Sequence, residues 1–391
     1  MLLPAEFQVD GRDARFGRGV EFCWRISTRT LPARTAGARL DLACLWGNIL
    51  RHVLHAGQIG DAMYANREWL ERVQEDALDP DLPICDPHHH FFADSNRYVA
   101  YMPPDARHDM TGSHRIMETV FVECREGYRR SGPESMKPVG ETEFVMELVT
   151  EHPDVEPRLA AGIVGYADLT LGGSVAEVLE AHLAAAPGRF KGIRHATAYA
   201  PGLQSHGNSP PNLLSDNEFR AGFACLAQYG LTFDALIYAH QMPDLVDLAA
   251  AFPGTTIILD HIGMPLDVGG PDSERAQAWR EGIIEIAQRP NVVVKLGGLG
   301  MTQSGFGWHE QAMPPDSVTL AEQTGPFYLW CIEHFGVDRC MFESNFPVDK
   351  VSYSYSVLWN SFKRMTASFS SDERAALFRG TALRVYQLGD G

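Results

Sequence analysis

Three consecutive histidines, His88, His89 and His90, follow Asp86-Pro87 at the end of a short apolar run, Leu82-Pro83-Ile84-Cys85. Along a strand, residues i and i+2 share a face. His88 and His90 are therefore expected on one side, with His89 on the other. Two imidazoles converging from one backbone segment suit a divalent metal or a pair of proton-transfer groups. Further polar residues of the same kind end other apolar runs: Glu123 and Arg125 around Cys124, then Arg194-His195, His240-Gln241 and Asp260-His261. Lys295 lies inside a run, and Glu343, Ser344, Asn345 and Asp349 surround the end of the last one. A single histidine of this kind is usually a hydrogen-bonded structural residue, and a lone lysine usually pairs with a carboxylate. A set of four histidine-bearing ends asks for a fold that brings them to one place.

The elements that would do so are legible. Apolar, β-rich runs at 84–88, 120–124, 161–165, 192–195, 232–238, 256–260, 292–296 and 340–343 alternate with helical patterns. Helices are predicted at 141–151, 175–186, 218–229, 244–252, 274–288, 322–335 and 354–366, and a last one at 372–388. Ser215-x-x-Glu218 and Ser370-x-x-Glu373 have the spacing of capping boxes. Runs such as TTIILD and NVVVKL are nearly continuous in apolar residues, as strands buried on both faces are. Eight such strands separated by helices predict an α/β fold, a closed (β/α)8 TIM barrel. Helix-to-strand links are short (Pro253-Gly254, Arg289-Pro290), whereas the links after strands one, four and seven are long, at 91–115, 196–215 and 297–319. A barrel builds its site from the loops at strand C-terminal ends, which is where the polar residues lie.

At 391 residues, with 45% hydrophobic and 21% charged residues, the chain has material for a large core. Its net charge of −17 disfavours nucleic acid and anionic membranes as partners, since phosphates are repelled. A small-molecule substrate is the expected partner, and homo-oligomerisation stays open. Seven scattered cysteines form no C-x-x-C pair, which fits buried thiols in a reducing compartment. Without a signal-peptide pattern or a run of about 18 apolar residues, cytoplasmic localisation is expected. Residues 1–62 hold eight Arg, no Lys and six acids, for a net charge of +2 against −19 for the remainder, and lack sustained periodicity. They read as a poorly structured N-terminal extension, with the barrel at 63–391. Tyr64, Trp69, Leu70, Val73 and Ala77 give its first helical spacing.

The order of these motifs resembles the amidohydrolase superfamily, and within it the lactonase-like amidohydrolase family 2. The resemblance rests on IxDPHHHF at strand one, FKGIRH at four, the Tyr-Ala-His-Gln-Met-Pro turn at five, LDHIG at six and MFESNFPVD at eight. It implies a barrel hydrolase in which a His-x-His pair, a strand-six His and a strand-eight Asp hold a divalent metal or, in some lactonases, act without one. Carried over, these are His88, His90, His261 and Asn345, with Zn or Mn as the implied cofactor at His88, His90 and His261. Asn345 departs from the family pattern, Gly-Ser-Asp-Trp-Pro, where an Asp accepts the proton of the attacking water. A neutral amide cannot do that and is a poorer ligand. Glu343, Asp349 or a histidine is then the expected base.

Arg125, Arg129, Arg130 and Arg194 could supply a fork for a carboxylate or oxyanion, Arg194 being the one expected inside. Glu123, His195, His240 and Lys295 complete the expected substrate contacts. Gly297-Gly298-Leu299-Gly300 and Gly305-Phe306-Gly307-Trp308 lack phosphate-cradle spacing and read as a mobile loop carrying aromatics over the pocket. The implied activity is water attack on a lactone or related acyl bond of a small, anionic molecule. A decarboxylase of the same superfamily and a barrel that binds without turnover are the rival readings.

Overall fold

The computed structural model describes residues 67–93, 100–111, 114–150, 156–203, 206, 208–268, 270 and 272–389. The 1–62 extension lies outside them. Eight strands pair in sequence order: β1 (Pro83–His89), β2 (Arg115–Val122), β3 (Arg158–Gly165), β4 (Phe190–Ile193), β5 (Thr232–Ala235), β6 (Ile257–Leu259), β7 (Val292–Leu296) and β8 (Cys340–Phe342). Every neighbouring pair is parallel. Between β8 and β1 the barrel is closed by the segment just beyond β8. His90 N donates to Phe346 O at 2.8 Å and Asn345 N to His88 O at 2.9 Å. The (β/α)8 expectation is met, and the residues that close the barrel are themselves candidate site residues.

Alternation along the strands sorts side chains into two layers. In β7, Val292, Val294 and Leu296 join the large core between sheet and helices, whereas Val293 packs inside the barrel with Cys85, Val120, Val122, Val164, Ile258 and Met341. Tyr386 and Leu388, from the end of the chain, belong to this inner cluster. Lys295 shares the inward face of β7 with Val293 by the same alternation. Along β1 the pairing register shifts between Asp86 and His89, and such an irregularity changes which way successive side chains are aimed. His89 faces away from the barrel interior, with Nε2 2.8 Å from Thr119 Oγ1 and its ring against Phe91 and Phe121.

Several boundaries differ from the sequence reading for identifiable reasons. The helix Pro103–Met110 after β1 was not anticipated, because its residues are mostly polar and show no sustained apolar period. Ser215 does not cap the next helix: Asp216 accepts from Phe219 N at 2.9 Å, and the helix runs Asn217–Leu226. The pattern from Tyr64 to Ala77 yields only one described helical turn, Arg67–Leu70. The helix expected at 322–335 begins at Ser317, capped by Asp316 and continuing through Pro326. The last helix is three pieces, Ser371–Ala375, a π-helical turn Ala376–Gly380 and Thr381–Val385; the Ser370/Glu373 capping box is present. The five described cysteines carry no disulfide, and no helix of the described residues is long and apolar enough to cross a membrane.

Candidate active site

At the C-terminal ends of the strands the structure assembles a buried polar cluster. His88, from β1, has Nδ1 2.9 Å from Glu343 Oε2 and 3.6 Å from Asp260 Oδ1. The same Glu343 carboxylate lies 2.7 Å from His261 Nδ1 through Oε1, which also accepts the His261 backbone N–H at 3.2 Å. Arg194 Nη1 approaches His88 Nε2 at 3.3 Å. Guanidinium and ammonium can only donate, so Arg194 at Nε2 and Lys295 at Nδ1 both disfavour an added proton on this imidazole. Arg194 is fixed by its Nε on Glu123 Oε1 at 2.8 Å and by Nη2 on the Glu123 carbonyl. Lys295 Nζ lies 2.6 Å from Asp234 Oδ2, 3.0 Å from Asp260 Oδ1 and 3.1 Å from His88 Nδ1.

The backbone must bend for this convergence. His261 and Ile262 adopt left-handed φ of +54° and +51°, turning the chain sharply after β6. Gly297 and Gly298 leave space on the other side: a Cβ at Gly297 would lie 2.3 Å from Glu343 Cγ, and one at Gly298 2.4 Å from His261 Cβ. These glycines permit close approach of the backbone to Glu343 and His261. The aromatics beyond them do not cover the cluster from a free loop: Phe306 stacks on Trp308 at 4.3 Å, and Trp308 is buried with Nε1 donating to Gln323 Oε1 at 2.7 Å.

Burial and charge together set the protonation states. Burial disfavours charge on His88, reinforced by Lys295, and its pKa lies below the ordinary value. For Glu343 burial pushes upward, but His261 and His88 outweigh it and hold the carboxyl at about 2. Glu123 is likewise held at about 2, with His206 and Arg194 overcoming burial. Burial alone would lower His261, yet Glu343 and Asp260 raise it. Asp349 is raised to about 6 by burial. It accepts from Gly300 N (2.9 Å) and Tyr353 OH (2.6 Å) on Oδ2, and from Asn345 Nδ2 (2.7 Å) on Oδ1. Asn345, in left-handed conformation at φ +55°, thus presents amide hydrogens to a neighbouring carboxylate.

Not every expected residue joins the cluster. His90 is next to it, its ring 5.0 Å from His88, with Nδ1 donating to Val122 O at 2.7 Å. Glu123, Arg125 and His195 line a small cavity of about 50 Å³ with Tyr166, His206 and Ser209. His240 is exposed, its ring stacked with that of Tyr238 at 6.2 Å, and it does not line this cavity. Arg129 is bound at the surface by Glu143. Two residues escaped the sequence reading. His206, in the long loop after β4, has Nε2 2.9 Å from Glu123 Oε1; the length of that loop was its only signal. Asp234, inside β5, was hidden in an apolar run, though a carboxylate there needed a partner such as Lys295.

His88, His261 and Glu343 are the group whose ligand atoms lie within 4.8 Å of one another. Two imidazoles and a carboxylate, all buried, are suitable donors for a borderline divalent cation. Around it, the carboxylates of Glu123, Asp234, Asp260 and Glu343 outnumber the permanent cations paired with them among the described residues, Arg194 and Lys295.

An eight-stranded parallel barrel with histidines, carboxylates and an arginine at its C-terminal mouth defines a hydrolase-type barrel enzyme, and the comparisons place it in a family. The amidohydrolase family profile matches residues 85–388, and the chain belongs to that family. It is 33% identical to protein y4mH of Sinorhizobium fredii over 79% of this chain and 99% of that one. An L-fucono-1,5-lactonase of Burkholderia multivorans is 29% identical over 73% of this chain and 86% of its own length. A crystal structure of an amidohydrolase from Burkholderia multivorans with bound zinc superposes with a TM-score of 0.60 at 26% identity, covering 78% of this chain and 99% of that one.

Proposed function

We propose that this enzyme hydrolyses a lactone or related acyl bond of a small, anionic substrate. The convergence of His88, His261, Glu343 and Arg194 carries this reading, and the similarity to lactonases supports the choice of bond. His88, His261 and Glu343 would hold a divalent metal, of which zinc is the best match to the donor types; bound there, it would polarise the substrate carbonyl. Arg194, locked by Glu123 and aimed at His88, supplies fixed positive charge for the developing oxyanion. Asp349 takes the proton of the attacking water, its raised pKa keeping it a competent base near neutrality. His206, oriented by Glu123 beside the cavity, returns a proton to the leaving oxygen. Arg125 lines the same cavity and faces the substrate's negative charge.

The test is a panel of sugar lactones, carboxylate-bearing lactones and linear acyl esters on zinc-replete protein, scored by acid release. Ring opening with preference for an anionic lactone is expected. Carbon dioxide release from a carboxylic acid would establish the decarboxylase instead, and binding without turnover the non-catalytic barrel.

A further inference from the structure

The buried lysine of β7 sits in surroundings that are themselves informative. Lys295 Nζ is met by carboxylate oxygens of Asp234 and Asp260 at 2.6 and 3.0 Å and by His88 Nδ1 at 3.1 Å. All four residues are fully buried. Tyr386 OH, from the end of the chain, donates to the same Asp234 oxygen at 2.7 Å, and the Tyr386 ring centre lies 5.5 Å from the ammonium. The other Asp234 oxygen, Oδ1, is buried and accepts no hydrogen bond among the described residues. An ordinary buried lysine needs one carboxylate and some carbonyls. This one has two carboxylates and an imidazole, the donor types of a divalent-metal site, with coordinating capacity left over.

We infer that Lys295 is a resident cation occupying a second cation site, formed by Asp234, Asp260 and His88, and that it keeps a second divalent ion out of the barrel. The ammonium delivers one positive charge that neither chelation nor dilution removes. It ties β7 to β5 and β6 at the depth of His88. The site formed by His88, His261 and Glu343 then holds at most one metal ion. Truncating the side chain removes the ammonium and its stem while leaving the three donors and the space between them. A zinc ion binds such ligands at about 2.0–2.2 Å, so the donors need contract only modestly around it. The inference does not depend on the substrate.

The experiment loads wild type, Lys295→Ala and Lys295→Ala/Asp234→Asn with excess zinc, removes free metal by dialysis, and measures bound zinc per chain and melting temperature. Wild type is expected to retain no more than one equivalent. Lys295→Ala should retain one equivalent more than wild type and melt higher with zinc than with chelator. The double variant should lose the additional equivalent. Equal zinc content in Lys295→Ala and wild type overturns the inference, as does an additional equivalent that survives Asp234→Asn. Should Lys295→Ala be recovered only as insoluble protein, refolding with zinc or with chelator decides. Zinc-dependent recovery supports the assigned site, and equal recovery in both refutes it.

Discussion

Two lysine–histidine pairs in this molecule have similar distances and opposite surroundings. At the mouth, Lys295 Nζ is 3.1 Å from His88 Nδ1; beside residues 78–79, Lys363 Nζ is 2.8 Å from His114 Nδ1. Lys363 donates its other hydrogens to the carbonyls of Leu78 and Asp79 at 2.7 and 2.9 Å. His114 Nε2 donates to Ser356 O at 3.2 Å, so its Nδ1 is the acceptor for Lys363. His88 Nδ1 also faces Glu343 Oε2 at 2.9 Å, and Lys295 has two carboxylates, Asp234 and Asp260, in place of carbonyls. The consequences for charge diverge. Burial pulls Lys363 down to about 8, since carbonyls only partly replace water. For Lys295, Asp234 and Asp260 overcome burial and raise it. A carbonyl cage makes a clasp, fastening residues 78–79 to the helix Tyr355–Met365. A carboxylate cage makes a charged centre beside the His88 imidazole.

The comparison breaks if substitutions in the two pairs act alike. His88→Ala and His261→Ala should each lower kcat/KM by about a thousandfold or more, since both lose the metal donors and the charge organisation of the mouth. Lys363→Met should leave kcat/KM near wild type. It removes a buried cation that satisfies two carbonyls and an imidazole, a loss of roughly 2–4 kcal/mol. At about 2–4 °C per kcal/mol for a large domain, the melting temperature should drop by roughly 5–15 °C. Steady-state kinetics and thermal melts on the same preparations decide. If Lys363→Met slows turnover as much as His88→Ala, the clasp belongs to the active site.

The barrel was legible because its strands are buried on both faces over most of their length and its helices amphipathic, so periodicity separated them. The histidine-bearing ends were legible because a TIM barrel places them at one mouth. What sequence concealed was pairing. Nothing in the spacing says that Glu343 spans His88 and His261, that Asp234 lies within reach of Lys295, or that His206 reaches Glu123 across 83 residues. His240 follows β5 in sequence as His261 follows β6, yet one is exposed and the other buried, because only the loop after β6 folds back through left-handed residues. The helix Pro103–Met110 was hidden by its polar composition. Gly297 and Gly298 read as loop flexibility, though their place against Glu343 and His261 is a matter of close packing.

A smaller effect is expected at Asn345, whose amide donates to Asp349 Oδ1 at 2.7 Å. If Asp349 is the base, kcat/KM falls as pH drops through about 6, because the base is protonated below that value. Asn345→Asp replaces the donor with a second carboxylate at the same contact. A like charge raises both pKa values, so the acidic limb should move up by at least about one pH unit. Divalent-metal affinity should rise with the added carboxylate, without a gain in turnover. A pH–rate profile with metal analysis measures both. Higher activity in the variant would show that the amide is a lesion and not an adaptation.

The smallest effect should come from deleting the N-terminal extension. Residues 1–62 differ in charge from the remainder, +2 against −19, and the family match begins only at residue 85. The contacts that seat the described start of the chain come later. Trp69 Nε1 donates to Gln311 O at 2.9 Å, Glu75 Oε1 accepts Ser317 N at 2.7 Å, and Leu78 N donates to Asn360 Oδ1 at 2.8 Å. Removing 1–62 leaves all of these, together with the Lys363 clasp, so fold and activity should change little. Removing 1–80 takes away the carbonyls of Leu78 and Asp79 and leaves Lys363 buried with His114 alone, an uncompensated cation inside the protein. The longer truncation should therefore melt at least as far below wild type as Lys363→Met does, while the shorter one stays within about 2 °C, roughly 1 kcal/mol or less. Thermal melts of the two truncations side by side test the boundary. A large fall for the 1–62 deletion would place that extension among the parts that hold the barrel together.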